Sequence, residues 1–320
     1  MGCLYHYCST QKCFSILNSR TLRLSDIQKS NDYRELSLFF PELLYEVEDL
    51  YREKPYHFKY KDSKDEDAFR RLSSETYKYW RSCFSTGSFS NFVICFSEAQ
   101  DSLSQWRGYA DNGRGCCIGF SKKSLMDYCK NSGKVLRIAQ VEYISEEEKK
   151  QKIRNAALYC IRELQTLREW IVENITGNDN DPDTDGLLLF NYIGMLESIF
   201  TDTLRYKSNS FKEEHEWRIY FPDAVRKVPK WLSSKMRRNY GWHGLHFETE
   251  KFLSDNVKFH VTDDDIIPFC PISFDNFDEN PVVELWTGPK NNIRQMDIEL
   301  FLKLNGYEST KPYHSLISYC

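Results

Sequence analysis

Residues 92–120 have the sequence FVICFSEAQDSLSQWRGYADNGRGCCIGF, and the fold prediction starts from this stretch. Apolar residues dominate its two ends, 92–96 and 116–120, and each end has the length of a buried strand. The connection between them, residues 97–114, is dense in hydrogen-bonding and aromatic side chains. Binding sites are usually built where strands meet loops, so this stretch predicts two core strands with a candidate site between them.

Strands and helices extend outward from it in both directions. Residues 4–7 predict a first strand, a short helix with Phe14, Ile16 and Leu17 follows, and residues 21–24 predict a second strand. Further strands are predicted at 135–143, 216–221, 257–260, 265–269, 282–287 and 314–319. Strands therefore bracket a helical centre, which predicts an α+β fold with mixed, mostly antiparallel sheets.

Helical spacing of apolar residues is clearest at the centre of the chain. Residues 146–175 alternate an apolar face with a polar one, and residues 187–206 form a second such segment. We interpret the two as a helical hairpin, inserted at about 145–208 into a single domain spanning residues 1–320. Other helices are predicted at about 36–50, 68–83 and 292–305.

Composition and charge limit the possible functions. The 320 residues are 41% hydrophobic, which is enough to bury a full core. Lysine and arginine total 43 against 47 aspartates and glutamates, so the net charge is -4. Such a balance provides no global basic field for binding nucleic acid, and any such contact would have to be local.

The cysteines and the apolar segments predict a cytoplasmic protein without a membrane span. There are 11 cysteines, an odd number, and none forms a CxxC pair. The opening sequence lacks the pattern of a secretory leader, so we expect reduced thiols. The longest apolar run, near residues 186–195, is too short and too interrupted to cross a bilayer.

Candidate site residues occur on the opening strand and in the long loop. The strand carries His6 and Tyr7, and a histidine on an apolar strand is more often a core residue than a ligand-binding group. The loop carries Ser97, Trp106 and Tyr109. They are as consistent with a surface loop anchored by its aromatic rings as with a ligand site.

A third candidate is the acidic run that enters the strand at 216–221. Strand alternation puts Glu214, Glu216 and Arg218 on one face. Burying a carboxylate costs several kcal/mol unless it is paired, so Glu216 should either meet Arg218 or face a cleft. The simplest alternative is an ordinary structural ion pair.

Taken in order, these segments resemble the bacterial family DUF2971, whose function is unknown. The resemblance extends from residue 4 to residue 319. It is carried by LYHYCS, FSILNSRTLRLSDIQKSND, CFSEAQDSLSQWRGYADNGRGCCIGF, EEHEWRIY, VVELWTGPK and residues 315–319. The segment from CFSE to GF is the most specific of them.

The opening also resembles the first unit of ADP-ribosyltransferase folds, which implies such a core and NAD as substrate. The likeness implies that His6 holds the adenosine ribose, that Ser97 lines the pocket, and that Tyr7, Trp106 or Tyr109 stacks on nicotinamide. It further implies Glu216 as the catalytic carboxylate and Glu214 as the group that orients the acceptor, a protein or a nucleic acid. The remaining predicted cofactor-binding residues are Asn31 and Arg218.

Two other functions stay open. One is a metal-dependent nucleic-acid-processing enzyme in which Asp101, Glu214 and Glu216 bind a divalent metal. The other is a noncatalytic module that senses a nucleotide or a protein through the Trp106 loop. The family resemblance makes a toxin or antiviral defence system a candidate setting for the enzyme or the module.

Overall fold

The computed structural model describes most of the chain. The described residues are 2–29, 33–53, 89–132, 136–177, 201–221, 225–226, 256–261 and 265–319, together with the helical positions 187, 188, 191, 195, 196, 198 and 199. The predicted helix at 68–83 and the site residue Asn31 lie outside them.

The chain opens with a strand, a helix and a second strand, and further strands and helices are interspersed along the rest of the described residues. The strands are β1 Cys3–Cys8, β2 Thr21–Asp26, β3 Phe89–Ser90, β4 Phe92–Ser97, β5 Cys116–Ser121, β6 Arg137–Gln140, β7 Glu142–Ile144, β8 Tyr206–Ser208, β9 Glu216–Tyr220, β10 Val225–Arg226, β11 Lys258–Val261, β12 Ile266–Ser273, β13 Val282–Thr287 and β14 Lys311–His314. The α-helices are α1 Thr10–Ser19, α2 Tyr33–Glu53, α3 Leu103–Tyr109, α4 Lys122–Asn131, α5 Glu146–Ile171 and α6 Gln295–Leu304.

Ten of the described strands form one mixed sheet. Its order is β11-β12-β2-β4-β1-β5-β13-β14, and β9 pairs with both β4 and β6. The pairs within this sheet are antiparallel except for β13 with β14, which is parallel. The predicted α+β class with mixed, mostly antiparallel sheets is therefore confirmed.

The sheet splits at β4. One edge of β4 pairs with β9 from Val93 to Ser97, all of the strand except its first residue. Its other edge is shared, because β2 pairs with its beginning at Phe92 and Val93, whereas β1 pairs with its end at Ser97. Strands β1 and β2 therefore diverge from each other and leave the middle of β4 uncovered between them.

Helix α1 connects the two diverging strands. Ser9 caps its first turn by accepting a hydrogen bond from the Lys12 amide, and Arg20 ends it in the left-handed conformation, with φ of 48°. Its buried face, Cys13, Ile16 and Leu17, joins the main core on the sheet. The amphipathic spacing of α1 therefore determines which face of the split sheet it covers.

A second core lies among the helices. Helix α5 begins with a capping box formed by Ser145 and Glu148, and continues as a short π-helix over Val172–Thr176. Its apolar face packs on α2, and described positions at 187, 188 and 196 join the same core. The described part of the predicted hairpin is mostly helical, but its end is a turn and strand β8 where the second helix was predicted to continue to residue 206. Helix α2 contributes to the same core.

Some predicted boundaries are wrong. The strand predicted at 135–143 is two strands, β6 and β7, which enter different sheets. The predicted last strand at 314–319 ends at His314, where β14 stops. Helix α4 was not predicted at all.

No helix in the described ranges is long and apolar enough to cross a membrane.

Candidate functional site

A cavity of about 490 Å³ lies at the split of the sheet. Its walls come from β1, the start of α1, β2, β4, α3 and the segment that enters β9. Six of the predicted site residues line it: His6, Tyr7, Ser97, Tyr109, Glu214 and Glu216. Cavities of about 300–1,000 Å³ commonly hold small molecules, so the predicted residues come together at a site of suitable size.

His6 forms part of the wall where β1 faces β4. Its Nδ1 lies 2.9 Å from the carbonyl oxygen of Cys95 and must donate to it, because a carbonyl can only accept. Burial and the charge of Lys12 lower the pKa of His6 to about 4. The ring is therefore neutral at pH 7, and its Nε2 is a bare acceptor without a partner among the described residues.

Opposite charges form a buried cluster at the start of β9. Lys207 Nζ donates to Glu214 Oε2 at 2.6 Å and to Glu216 Oε2 at 3.1 Å. Arg218 donates to Glu216 twice, from Nε at 2.6 Å and from a terminal nitrogen at 3.2 Å. Such short, paired, charge-assisted contacts fix the carboxylate in one orientation. We call these four residues the acid wall.

Glu216 is ionised in this setting. Burial raises the pKa of Glu216, but the charges of Arg218 and Lys207 and the hydrogen bonds to the carboxylate outweigh burial and lower it to about 2. The sequence left two alternatives for Glu216, which were pairing with Arg218 and facing a cleft. Both are found, because Glu216 pairs with Arg218 and also lines the cavity.

Backbone geometry brings Glu214 beside Glu216. Glu214 ends a 3₁₀ turn, Asn209–Glu214, and His215 follows in the left-handed conformation with φ of 44°. Glu214 therefore precedes the strand, and simple strand alternation does not place it. The hydroxyl of Ser97 donates to the Glu214 carbonyl oxygen, and the hydroxyl of Tyr109 donates to its carboxylate at 2.8 Å.

Trp106 does not lie where the sequence-based hypothesis put it. Its side chain is completely buried, packs edge-on against Tyr7 and donates to Asp101 at 2.7 Å. It does not line the cavity. The prediction that Trp106 stacks on a ligand is therefore wrong, and its ring anchors the loop to the core.

Arg218 is also corrected. Its Nε and one terminal nitrogen bind Glu216, and its other terminal nitrogen donates to the carbonyl oxygen of Leu204. The guanidinium is buried outside the cavity lining. Arg218 thus positions Glu216 instead of contacting a cofactor.

Tyr7 and Tyr109 contribute differently to the wall. The Tyr7 hydroxyl donates to the Ala99 carbonyl oxygen at 2.7 Å and accepts from the Ser102 amide, so it ties the loop to β1. Tyr109 is 45% exposed and keeps ring surface available at the rim. Of the predicted stacking residues, Tyr109 is the one best placed for a ligand ring.

The three acidic residues of the metal hypothesis do not come together. Asp101 accepts hydrogen bonds from Trp106, Ser315 and the Leu316 amide, away from the acid wall. Within the described ranges, no group of three or more potential ligands could hold a metal ion. Lys207 already lies between the other two carboxylates.

Sequence reasoning missed two residues that shape the site. Lys207 is fully buried, and its position in a short polar strand gave no signal for that. Gln105 is 5% exposed and lines the cavity. Its spacing of four residues from Tyr109 on a helix was the available signal, but the loop was not predicted to be helical.

Fold and site together define an α+β protein with a ligand-sized cavity in the split of a mixed sheet. The family model of DUF2971, described as a protein of unknown function, matches residues 105–219. The DUF2971 identification is thus confirmed over this segment, which contains Gln105, Tyr109 and the whole acid wall. No curated protein and no solved structure matches the chain.

Proposed function

We propose that the chain is an NAD-consuming enzyme with an ADP-ribosyltransferase-like core, which breaks the bond between nicotinamide and ribose. The acceptor would be a protein, a nucleic acid or water. One observation carries the proposal: His6 and Glu216, from opposite parts of the sequence, line the same cavity.

The acid wall supports the chemistry of this reaction. Cleavage of a glycosidic bond passes through an oxocarbenium-like state, which nearby negative charge stabilises. The low pKa of Glu216, about 2, keeps it ionised at neutral pH. Arg218 and Lys207 hold the carboxylate in place before any ligand arrives, so little reorganisation is needed.

The two carboxylates have different capacities for a ligand. Glu216 accepts from Arg218 twice and from Lys207, which uses most of the roughly four acceptor sites of a carboxylate. Glu214 accepts from Tyr109 and Lys207. We therefore propose that Glu216 supplies fixed negative charge and that Glu214 binds a hydroxyl of the substrate or the acceptor.

The rest of the cavity suits the other parts of NAD. Neutral His6 offers a bare Nε2 to a hydroxyl of the adenosine ribose. Tyr109 offers ring surface to the cationic nicotinamide, an attraction of roughly 0.5–2 kcal/mol. Tyr7 supports the segment that leads into α3, the helix that carries Tyr109.

The direct test is nicotinamide release from NAD without added metal. We expect release by the wild-type protein and a loss of about 100-fold or more in Glu216→Gln, because a preorganised charge at the reacting centre is removed. Glu214→Gln should lose less. Glu98→Gln is the matched control, because Glu98 is close in sequence to the cavity-lining strand but outside the lining.

Each outcome of this test has one meaning. Release that persists in a folded Glu216→Gln protein rejects the role of Glu216. Absence of release with protein, RNA, DNA or water as acceptor rejects the enzyme. Thermal unfolding of each variant separates lost chemistry from lost structure.

A nucleotide-binding module without catalysis is the second candidate. The observation that favours it is the pairing of both carboxylates with buried cations, which offsets their charge. NAD or ADP-ribose that binds without nicotinamide release would identify this module.

A further inference from the structure

Two buried polar atoms of residues that line the cavity have no hydrogen-bond partner among the described residues. They are His6 Nε2 and Gln105 Nε2, and the two residues are only 9% and 5% exposed. Both residues line the cavity. Buried polar side chains nearly always have a hydrogen-bond partner, because leaving one unpaired costs free energy. Two such atoms in one cavity point to a ligand that pairs with them.

Helix α3 holds Gln105 in place. Gln105 and Tyr109 are four residues apart and face the cavity together, whereas Trp106 is buried on the other side of the helix. The Trp106 indole is fixed by its hydrogen bond to Asp101 and by its edge-on contact with Tyr7, whose ring centroid is 4.9 Å from that of Trp106. The unpaired amide is therefore presented by a packed helix rather than by a loop tip.

The two atoms have complementary chemistry. His6 Nε2 can only accept, because Nδ1 carries the proton that is donated to Cys95. Gln105 Nε2 can only donate. A hydroxyl group does both, whereas a phosphate oxygen at neutral pH mainly accepts and an apolar group does neither. The pair therefore matches the hydroxyls of a sugar.

We propose that Gln105, together with His6, determines specificity by recognising ribose hydroxyls in the ligand. This inference rests on the proposed function for the choice of NAD as the ligand. It also predicts discrimination: NADP has a phosphate on a hydroxyl of the adenosine ribose, and this group has no hydrogen to give to His6 Nε2. NAD should therefore bind in preference to NADP.

The test is calorimetric titration of NAD, NADP and ADP-ribose into three proteins, with thermal unfolding of each. They are the wild type, Gln105→Met and the control Gln151→Met, whose exposed glutamine lies on α5 outside the cavity lining. Methionine keeps the length of the side chain and removes the donor. We expect Gln105→Met to weaken NAD and ADP-ribose binding about tenfold with no loss of thermal stability. Wild-type protein should bind NADP about tenfold more weakly than NAD.

Several results would overturn the inference. NAD and ADP-ribose affinities unchanged in Gln105→Met would do so, as would equal wild-type binding of NAD and NADP. A lower unfolding temperature with unchanged affinity would make the amide structural. If Gln105→Met does not fold, Gln105→Glu removes the donor while keeping the shape, and wild-type affinity in that variant would also overturn the inference.

The same experiment separates this inference from the proposed enzyme. ADP-ribose that binds the wild type and loses affinity in Gln105→Met supports the role of Gln105, even if nicotinamide is never released. Wild-type protein that binds neither NAD nor ADP-ribose overturns both.

Discussion

Two walls of the same cavity differ in whether their polar groups are already paired. On the acid wall, the carboxylates of Glu214 and Glu216 are paired with Lys207 and Arg218. In the part of the lining formed by β1 and α3, His6 and Gln105 each have a nitrogen without a partner among the described residues. A saturated wall fixes charge and shape without a ligand, whereas an unsaturated wall is completed only when something binds. Stability and recognition are therefore carried by different residues of one site.

The largest effect is expected on the acid wall. Lys207→Met would leave the buried Glu216 and the partly buried Glu214 without the cation between them, and breaking a buried pair typically costs about 3–5 kcal/mol. The free energy of unfolding in urea measures this loss. Lys123→Met removes an exposed pair with Asp127 and should have little effect on the free energy of unfolding. Equal losses in the two variants would contradict the distinction between the walls.

The two walls should also respond to pH in different ranges. The pKa of His6 is lowered to about 4, so the unfolded chain binds its proton first, and stability falls as the pH drops from about 6.5 to about 4. The pKa of Glu216 is lowered from 4.5 to about 2, so its contribution is present above 4.5 and is lost as the pH falls through 2. Each pKa shift corresponds to a change of about 3 kcal/mol in the free energy of unfolding across its pH range.

Unfolding free energies measured from pH 7 to pH 2 test this separation. Replacing His6 by phenylalanine should flatten the curve between pH 6.5 and pH 4, and Glu216→Gln should flatten it below pH 4.5. A curve that keeps its wild-type slope in the first range after His6→Phe would show that His6 is not the group responsible.

A smaller effect is expected for the residue that anchors the loop. Trp106→Phe removes the hydrogen bond to Asp101 and leaves part of a buried site empty, which should cost about 1–3 kcal/mol of stability. NAD affinity should remain close to that of the wild type, because Trp106 does not line the cavity. Large loss of affinity at unchanged stability would restore Trp106 as a ligand-binding residue.

Sequence patterns predicted the strands around the site well and the polar contacts poorly. The strands predicted at 4–7, 21–24, 92–96 and 116–120 occur as β1, β2, β4 and β5. Trp106 was misassigned because an aromatic ring in a polar loop serves equally well as an anchor or as a ligand platform. Only its packing against Tyr7 distinguishes the two.

Residues of the acid wall illustrate the same limit. The pairing of Glu216 with Arg218 follows from strand alternation, because residues two apart lie on one face. The contact of both glutamates with Lys207 does not, since β8 precedes β9 and the intervening turn is irregular. Glu214 and Glu216 are only seven and nine residues from Lys207 in the sequence, but the irregular turn between them has no periodicity from which the contact could be predicted.

The amino-acid sequence alone determined the α+β class, the main strands and the DUF2971 resemblance, because hydrophobic periodicity and short motifs are local properties. The tertiary structure decided the split at β4, the cavity within it and the lack of partners for His6 Nε2 and Gln105 Nε2 among the described residues. These features arise where chain segments far apart in sequence meet, and hydrogen bonds between such segments depend on how the sheet twists and divides.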